Sequence, residues 1–473
     1  MTNIKNLLLK KEEHKLIFKY AQEAGEELNI TVYIVGGYIR DLILKRTLKD
    51  IDLMVEKKAE QFASKLAKKL NVKKVIKFEK FYTYRIPYEK CEVEIAQSRK
   101  EIYESKSRKP CKVISTDIEG DLIRRDFTIN AIAASLSKDN FGDVYDPFKG
   151  LLDIEKQIIK TPCDADTTFS DDPLRILRAI RFSCQLNINI DKKTLESMKK
   201  QKTRLKIVSW ERITAEIIKV LSTSKPSKGF YLLKEIGLLK YVFPELDLMP
   251  GVEIIDKKSH KDVFIHTLEV VDKAAKLTDK MEIRFAALVH DIAKPQTKRF
   301  DKNKGWTFHG HEEIGKRMLL DVSKRMKLSN DLRNYLMILT KLHLRPIALA
   351  KEGITDKAIR RVMFEAGEYI DDLMILCRAD ITTKNTKRIK KYMGNFEKVE
   401  LLMKDVKIKD EMKAFKSPID GHVIMKEFEL TEGQQVGSIK KQIEEAILDG
   451  QIKNNYDDAF KFMQEIKTKT LGN

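Results

Sequence analysis

Apolar residues along this chain follow two different periods, and the change falls near Asp153. Upstream they alternate with polar residues or gather in short β-branched and aromatic clusters. Such clusters are TVYIV (31–35), DIDLMVE (50–56), KKVIKF (73–78), YTYRIPY (82–88), CEVEIAQS (91–98) and INAIAASL (129–136). Period-two runs of that length predict strands. The first ~30 residues and YIRDLIL (38–44) carry helical spacing instead. From Asp153 the spacing is that of amphipathic helices: PLRILRAIRFSCQL, ITAEIIKVLS, GFYLLKEIGLL, RFAALVHDIAK and IGKRMLLDVSKRM. The expected fold class is therefore α+β, a small mixed head rich in antiparallel strands on a long all-α body. Boundaries are expected at 1–150 for the head, 151–221 and 222–258 for two helical stretches, 259–385 for a further helical domain and 386–473 for a helical tail. FPELDLMPGVEIIDKKSH and the basic TTKNTKRIKKYMGN mark two of them. There are no internal repeats and no low-complexity tracts.

Composition narrows the function without choosing it. A chain of 473 residues exceeds one core, and 91 Lys+Arg against 71 Asp+Glu gives a net charge of +20. That excess suits a polyanion (RNA, DNA or an anionic membrane), and solvated helix surface accounts for part of it. Five scattered cysteines without CxxC spacing imply reduced thiols and a cytoplasmic protein, with neither a disulfide scaffold nor a zinc ribbon. The N-terminus lacks the apolar run of a signal peptide, and no apolar run approaches the ~18 residues of a membrane span.

Chemistry enters at VYIVGGYIRDLILKRTLKDIDLMV (32–55). In a strand, residues two apart face the same side, so Asp50 and Asp52 project together while Ile51 and Leu53 face the core. Two close carboxylates raise each other's pKa unless a cation lies between them, and hard oxygen ligands suit Mg²⁺. Gly36 and Gly37 join strand to helix where backbone N–H groups can meet phosphate oxygens, and Arg40 lies one turn on. Glu92 and Glu94 share the two-residue spacing and offer a third carboxylate. In DDPLRILRAIRF (171–182), Leu174, Leu177 and Ile180 form an apolar stripe, and Arg175, Arg178 and Arg181 repeat beside it. Six of the eight histidines fall between His260 and His343, within helical surroundings, and His290–Asp291 is an adjacent pair.

Strand–GGxxRD–helix–DxD–strand, followed by RRDFTINAIA (124–133), DPFKGLLD (146–153), DDPLRILRAIRF and ERITAEIIKVL (211–221), resembles the class II nucleotidyltransferases. These are the tRNA CCA-adding enzymes and bacterial poly(A) polymerases. The resemblance departs from the family at Asp171, where Glu is commoner. It implies that 1–150 is the nucleotidyltransferase head, 151–221 the neck and 222–258 the body. Asp50 and Asp52 would be catalytic and hold Mg²⁺, while Gly36, Gly37, Arg40 and Arg125 would contact the triphosphate. Asp172 and Arg175 would template the incoming base, and Arg178 would steady the triphosphate or the pocket. A carboxylate accepting from an exocyclic amine and a guanidinium donating to the adjacent ring nitrogen fit cytosine and adenine, whereas guanine and uracil present the opposite pattern. The order His…His-Asp…His…His…Asp resembles the HD phosphohydrolases. It implies a divalent metal on His266, His290, Asp291 and Asp380, with His311 and His343 available for a second ion, while His260 and His309 match no ligand position. The tail from Ser417 resembles the C-terminal segment of HD-bearing bacterial CCA tRNA nucleotidyltransferases.

The function expected from these resemblances is template-independent addition of CCA to tRNA from CTP and ATP, with neither membrane nor DNA as partner. Three alternatives stay open. A poly(A) polymerase on the same scaffold is disfavoured because no GRRF-like segment follows the first motif. A CC-only or A-only enzyme is a second; CC-only is disfavoured because Ser98–Asp121 resembles the loop with which full CCA enzymes switch to ATP. The third is an HD-type hydrolase whose head only binds RNA, and the intact Asp50 and Asp52 count against it.

Overall fold

The computed structural model describes residues 2–48, 50–79, 82–89, 91–102, 112–256, 258–349, 355–414, 417–448 and 451–471. By packing, the chain divides into one unit of residues 1–348 with 364–396, and a second of residues 349–363 with 397–473.

The head of the first unit is built on a seven-stranded sheet. Its strands are β1 (Val32–Val35), β2 (Ile51–Val55), β3 (Ile76–Phe78), β4 (Thr83–Tyr88), β5 (Cys91–Gln97), β8 (Ala133–Ser135) and β9 (Val144–Tyr145). A separate ribbon pairs β6 (Arg99–Ile102) with β7 (Lys112–Ser115). The sheet order is β3-β4-β5-β2-β1-β8-β9. Every neighbouring pair is antiparallel except β2 and β5. A parallel pair needs a crossover, here through helix Ala59–Lys69, whose spacing the sequence reading passed over. That helix buries Phe62, Ala63 and Leu66, while Lys65 and Lys69 pair with Glu27 and Glu23 of helix Glu12–Leu28. β2 buries Ile51, Leu53, Met54 and Val55, and Asp52 is its only half-exposed residue.

The body is mostly helical, with three two-stranded exceptions among the described residues to the expectation of continuous helix. Ile158–Ile159 pairs in parallel with Asn189–Ile190, Ile254–Ile255 pairs with Lys258–Ser259, and Arg299–Asp301 pairs with Gly305–Thr307. The last is a turn made by side-chain chemistry, which a period count does not register. Asp301 Oδ1 accepts from the Asn303 and Lys304 amides, and Gly305 takes a positive φ of 78°. Buried Arg284 ties the helical layers together. Its guanidinium donates to the carbonyls of Leu221, Thr223, Ala275 and Thr278, at helix ends where carbonyls lack partners.

The second unit has its own apolar core of Ile419, Ile424, Val436, Ile439, Ile443, Ala459 and Met463. Helices Gly421–Phe428, Gln434–Leu448 and Tyr456–Leu471 supply it, the first capped by Asp420 Oδ1 accepting from the Val423 amide. No helix among the described residues is long and apolar enough to cross a membrane.

Candidate functional site

The head site forms where β1 ends. Gly36 has φ +70° and ψ −128°, a region closed to side chains, and a Cβ there would lie 2.7 Å from Arg125 Nη1. Glycine thus lets Arg125 lie against the turn that opens helix Gly37–Ile43. Asp50 sits exposed at the mouth of β2 and Asp52 two residues in. The parallel register places Asp52 opposite Glu94, which selects Glu94 over Glu92 as the neighbouring carboxylate. Burial first, then the Glu94 and Asp50 charges, push the Asp52 carboxyl up to about 6, against the pull of Arg125 and Arg40. A half-buried carboxylate with two like charges beside it has the chemistry of a hard-cation ligand.

Arg40 is buried, and its guanidinium is engaged within the protein. It donates to Asp41 through Nε at 3.0 Å and Nη2 at 2.7 Å, and to Asn130 Oδ1 at 2.5 Å. Asn130 Nδ2 donates in turn to Asp126 Oδ1 at 3.0 Å, and Asp126 Oδ2 accepts from Arg178 Nε at 2.7 Å. The chain Asp41–Arg40–Asn130–Asp126–Arg178 therefore links the glycine turn to helix Leu174–Leu186. Burial would raise the Asp126 pKa, but Arg178 and Asn130 hold it down to about 2. Asp126 and Asn130 were missing from the residues singled out in the sequence, although both lie inside RRDFTINAIA. Phe182 is a second link. The guanidinium carbons of Arg181, Arg40 and Arg178 lie 4.0, 5.0 and 5.5 Å from its ring centre.

Arg125 and Arg124 both grip buried Asp121; Arg125 Nη2 donates to Asp121 Oδ2 at 3.0 Å. Burial favours the neutral Asp121 acid, yet the two arginines outweigh it and hold its pKa below the ordinary value. The arginine row is no solvated face. Arg175 is buried and donates to the main-chain carbonyls of Arg124 at 2.6 Å and Thr168 at 3.4 Å. Arg181 Nε donates to buried Glu216 of ERITAEIIKVL at 2.6 Å. Asp172 Oδ1 accepts from the Leu174 amide, at the entrance to the same helix. In DPFKGLLD, Asp146 accepts from the Gly150 and Leu151 amides, and a Cβ on Gly150 would strike the Thr128 carbonyl at 2.1 Å. That motif seats its helix against the RRDF segment. Within Ser98–Asp121, residues 99–102 and 112–115 pair as the ribbon and helix Ile118–Ile123 begins, while 103–111 lie outside the described residues.

The histidine site gathers all six expected residues into two groups whose ligand atoms lie within 4.8 Å of one another: His266, His290 and Asp380, and Asp291, His311 and His343. Each imidazole is fixed through Nδ1, toward Thr382 Oγ1 for His266 and toward the Ala287, Phe308 and Thr340 carbonyls for the others, at 2.7 to 3.0 Å. All four Nε2 atoms therefore face inward. Asp291 joins the groups: Oδ2 lies 3.4 Å from His266 Nε2, and Oδ1 lies 3.4 Å from His311 Nε2. Asp291 Oδ1 and His290 Nε2 are buried without a hydrogen-bond partner among the described residues. His290 Nε2 is 3.2 Å from Asp291 Oδ2 but out of line for a hydrogen bond. Burial opposes a charge on His290, yet Asp291 and Asp380 overcome it and raise its pKa to about 10. Burial, then the His290 charge, drives His343 down to about 4. Orphaned polar atoms inside a ring of oriented nitrogens fit a divalent cation. His260 and His309 stay outside both groups; His260 packs edge-on against Trp306 and Phe308.

A glycine turn, a strand of carboxylates and an arginine-bearing helix, followed by a helical His/Asp centre, define a nucleotidyltransferase head joined to an HD centre. Residues 32–160 match the poly A polymerase head domain, 187–249 the probable RNA and SrmB-binding site of polymerase A, and 263–385 the HD domain. The multifunctional CCA protein of Pseudoalteromonas atlantica is 32% identical over 360 residues, which cover 74% of this chain and 85% of that protein. The Thermotoga maritima CCA-adding enzyme complexed with tRNA superposes with a TM-score of 0.59 at 21% identity, over 98% of both chains. A CCA-adding enzyme in complex with ATP superposes with a TM-score of 0.60 at 22% identity, over 100% of this chain and 97% of that one. The chain belongs to the family of HD-bearing CCA-adding tRNA nucleotidyltransferases.

Proposed function

We propose that this chain adds CCA to the 3′ end of tRNA, using CTP and ATP and releasing pyrophosphate. The observation that carries the reading is the register that sets Asp52 beside Glu94 at the edge of the Gly36–Arg125 turn. Magnesium held by Asp50 and Asp52, with Glu94 as the third carboxylate, would supply Lewis-acid charge to the attacking ribose hydroxyl and the departing pyrophosphate. The Gly36–Gly37 amides and Arg125 orient the triphosphate. Arg40 acts from behind, holding Asn130 and through it Asp126 and Arg178. Asp172 and Arg175 select C and A. For this, Arg175 exchanges its bond to the Arg124 carbonyl for one to the base, so selection is linked to the RRDF segment. The basic surface receives tRNA through phosphate contacts, which makes binding salt-sensitive, and a cytoplasmic location is part of the same proposal. The test is incorporation of labelled CTP and ATP into tRNA lacking its CCA end. Asp52→Ala should abolish it, and incorporation that survives Asp52→Ala would overturn the metal role.

The orphaned Asp291 Oδ1 and inward His290 Nε2 favour a second chemistry, hydrolysis of a phosphoester at the histidine site. A divalent metal there would activate water. Hydrolysis that survives Asp52→Ala and is lost in Asp291→Ala would establish it as separate. Loss of both activities in either variant would refute the separation.

A further inference from the structure

Residues 2–28 precede the first strand and hold no residue of the proposed chemistry, yet they pack against the helix that follows the glycine turn. They are tied down at both ends. Asn3 Nδ2 donates to the Phe141 carbonyl at 3.1 Å and to Asp143 Oδ1 at 2.7 Å, and the Ile4 amide donates to the Gly142 carbonyl at 2.8 Å. At the far end, Glu23 and Glu27 of helix Glu12–Leu28 pair with Lys69 and Lys65. Between these anchors His14 and Phe18, one helical turn apart, both face Tyr38.

Tyr38 directly follows Gly37 and is 3% exposed. Its hydroxyl lies 2.8 Å from His14 Nδ1, itself buried, and its ring meets Phe18 edge-on at 5.9 Å between centres. Helix Gly37–Ile43 has seven residues, too few to be stable alone, so tertiary contacts set its position. Tyr38 and Arg40 lie two positions apart, about 200° around the helix axis. The helix is therefore pinned from two sides, by His14 through Tyr38 and by Asn130 through Arg40. Apolar packing resists separation but leaves a short helix free to roll, whereas a hydrogen bond is limited in both distance and angle.

We propose that His14 and Tyr38 are positioning residues of the nucleotide site, their hydrogen bond holding the Gly36–Gly37 turn in register for the triphosphate. Residues 2–28 are then a working part of the head rather than a cover for its core. The inference rests on the reading of that turn as the triphosphate contact. Both side chains are buried, so they act through the turn and not on the nucleotide. The turn meets the triphosphate and not the base, so loss of the bond affects CTP and ATP alike and leaves tRNA binding untouched.

Tyr38→Phe removes the hydroxyl and keeps the ring. In steady-state incorporation into tRNA lacking its CCA end, it should raise the KM for CTP and for ATP by the same factor, roughly three- to tenfold. The KM for tRNA should not change. His14→Phe, which keeps an aromatic ring and removes Nδ1, should give the same rise, and the double variant should add nothing to either single one. If His14→Phe does not fold, His14→Leu takes its place. Phe62→Leu, in the apolar core of helix Ala59–Lys69, separates positioning from mere stability. It should lower the thermal midpoint at least as far as Tyr38→Phe and leave both nucleotide KM values as they are. An unchanged nucleotide KM in Tyr38→Phe, an equal rise in Phe62→Leu, or an equal rise in the KM for tRNA would overturn the positioning role while leaving CCA addition standing. A wild-type protein that incorporates neither nucleotide would overturn the proposed function, and this inference with it.

Discussion

Asp126→Asn tests the link between the glycine turn and the arginine-bearing helix. Asp126 is buried, accepts from Asn130 and Arg178, and is held down to about 2 against an ordinary value of 3.8. That difference corresponds to about 2 kcal/mol of stability. Arg178 keeps 34% of its side chain exposed, so water absorbs part of the loss and the expected cost is about 1–3 kcal/mol. Hydrogen exchange of the Thr128, Asn130 and Ala131 amides, bonded to the Lys160, Phe127 and Thr128 carbonyls, reads the loss locally. Exchange should accelerate roughly 5- to 150-fold at neutral pH. The sign follows from a depressed folded-state pKa: stability is present above about 4 and lost as pH falls toward about 2. The gap in thermal midpoint between the wild-type protein and the variant should therefore be about half closed near pH 3. Unchanged protection at neutral pH, or a gap that stays constant on acidification, would refute the network.

The remaining expectations concern both centres. Gly36→Ala places a Cβ 2.7 Å from Arg125 Nη1 at a backbone conformation costing ~1–3 kcal/mol, so the thermal midpoint and nucleotide incorporation should both fall. An unchanged midpoint would show that the turn relaxes freely. Asp291→Ala should remove tightly bound divalent metal, measured by elemental analysis of the purified protein, and leave CCA addition intact; full metal content would contradict the bridging role. Since His290 is held protonated at neutral pH by Asp291 and Asp380, loading metal into chelator-stripped protein near pH 7.5 should release a proton. Titration in weak buffer checks this, and uptake without acidification would count against it. Arg175→Ala should raise misincorporation of GTP and UTP relative to CTP by about tenfold or more, read in single-nucleotide assays, and unchanged selectivity would remove Arg175 from selection.

What the sequence revealed and what it hid divide along the distance over which each feature is determined. The two-residue spacing of Asp50 and Asp52, the Gly36–Gly37 turn and the histidine spacing are local patterns, and period and residue type make them legible. The choice between Glu92 and Glu94 depends on a parallel register between strands separated by 35 residues (56–90), which no local period encodes. The arginine row showed its spacing, but its burial depends on Asp126, Glu216 and Phe182, two of which lie far along the chain. Arg40 sits at the position expected of a triphosphate contact, yet its donors go to Asp41 and Asn130; the partner 90 residues away is invisible to a motif. The His266, His290, Asp291 and Asp380 set was foreseen as a list. That Asp291 faces both groups through different oxygens is a property of five packed segments. The ribbon 99–102/112–115 and the pair 299–301/305–307 were missed because strands of three or four residues carry too few positions for a period to emerge.

The most direct test of the central claim is the sequence of the product. A tRNA lacking its last three nucleotides, incubated with the full-length protein, Mg²⁺, CTP and ATP together, should gain C, C and A and stop; with ATP alone it should gain no A-tail. Long A-tails from ATP alone, or products extending beyond CCA, would contradict the account.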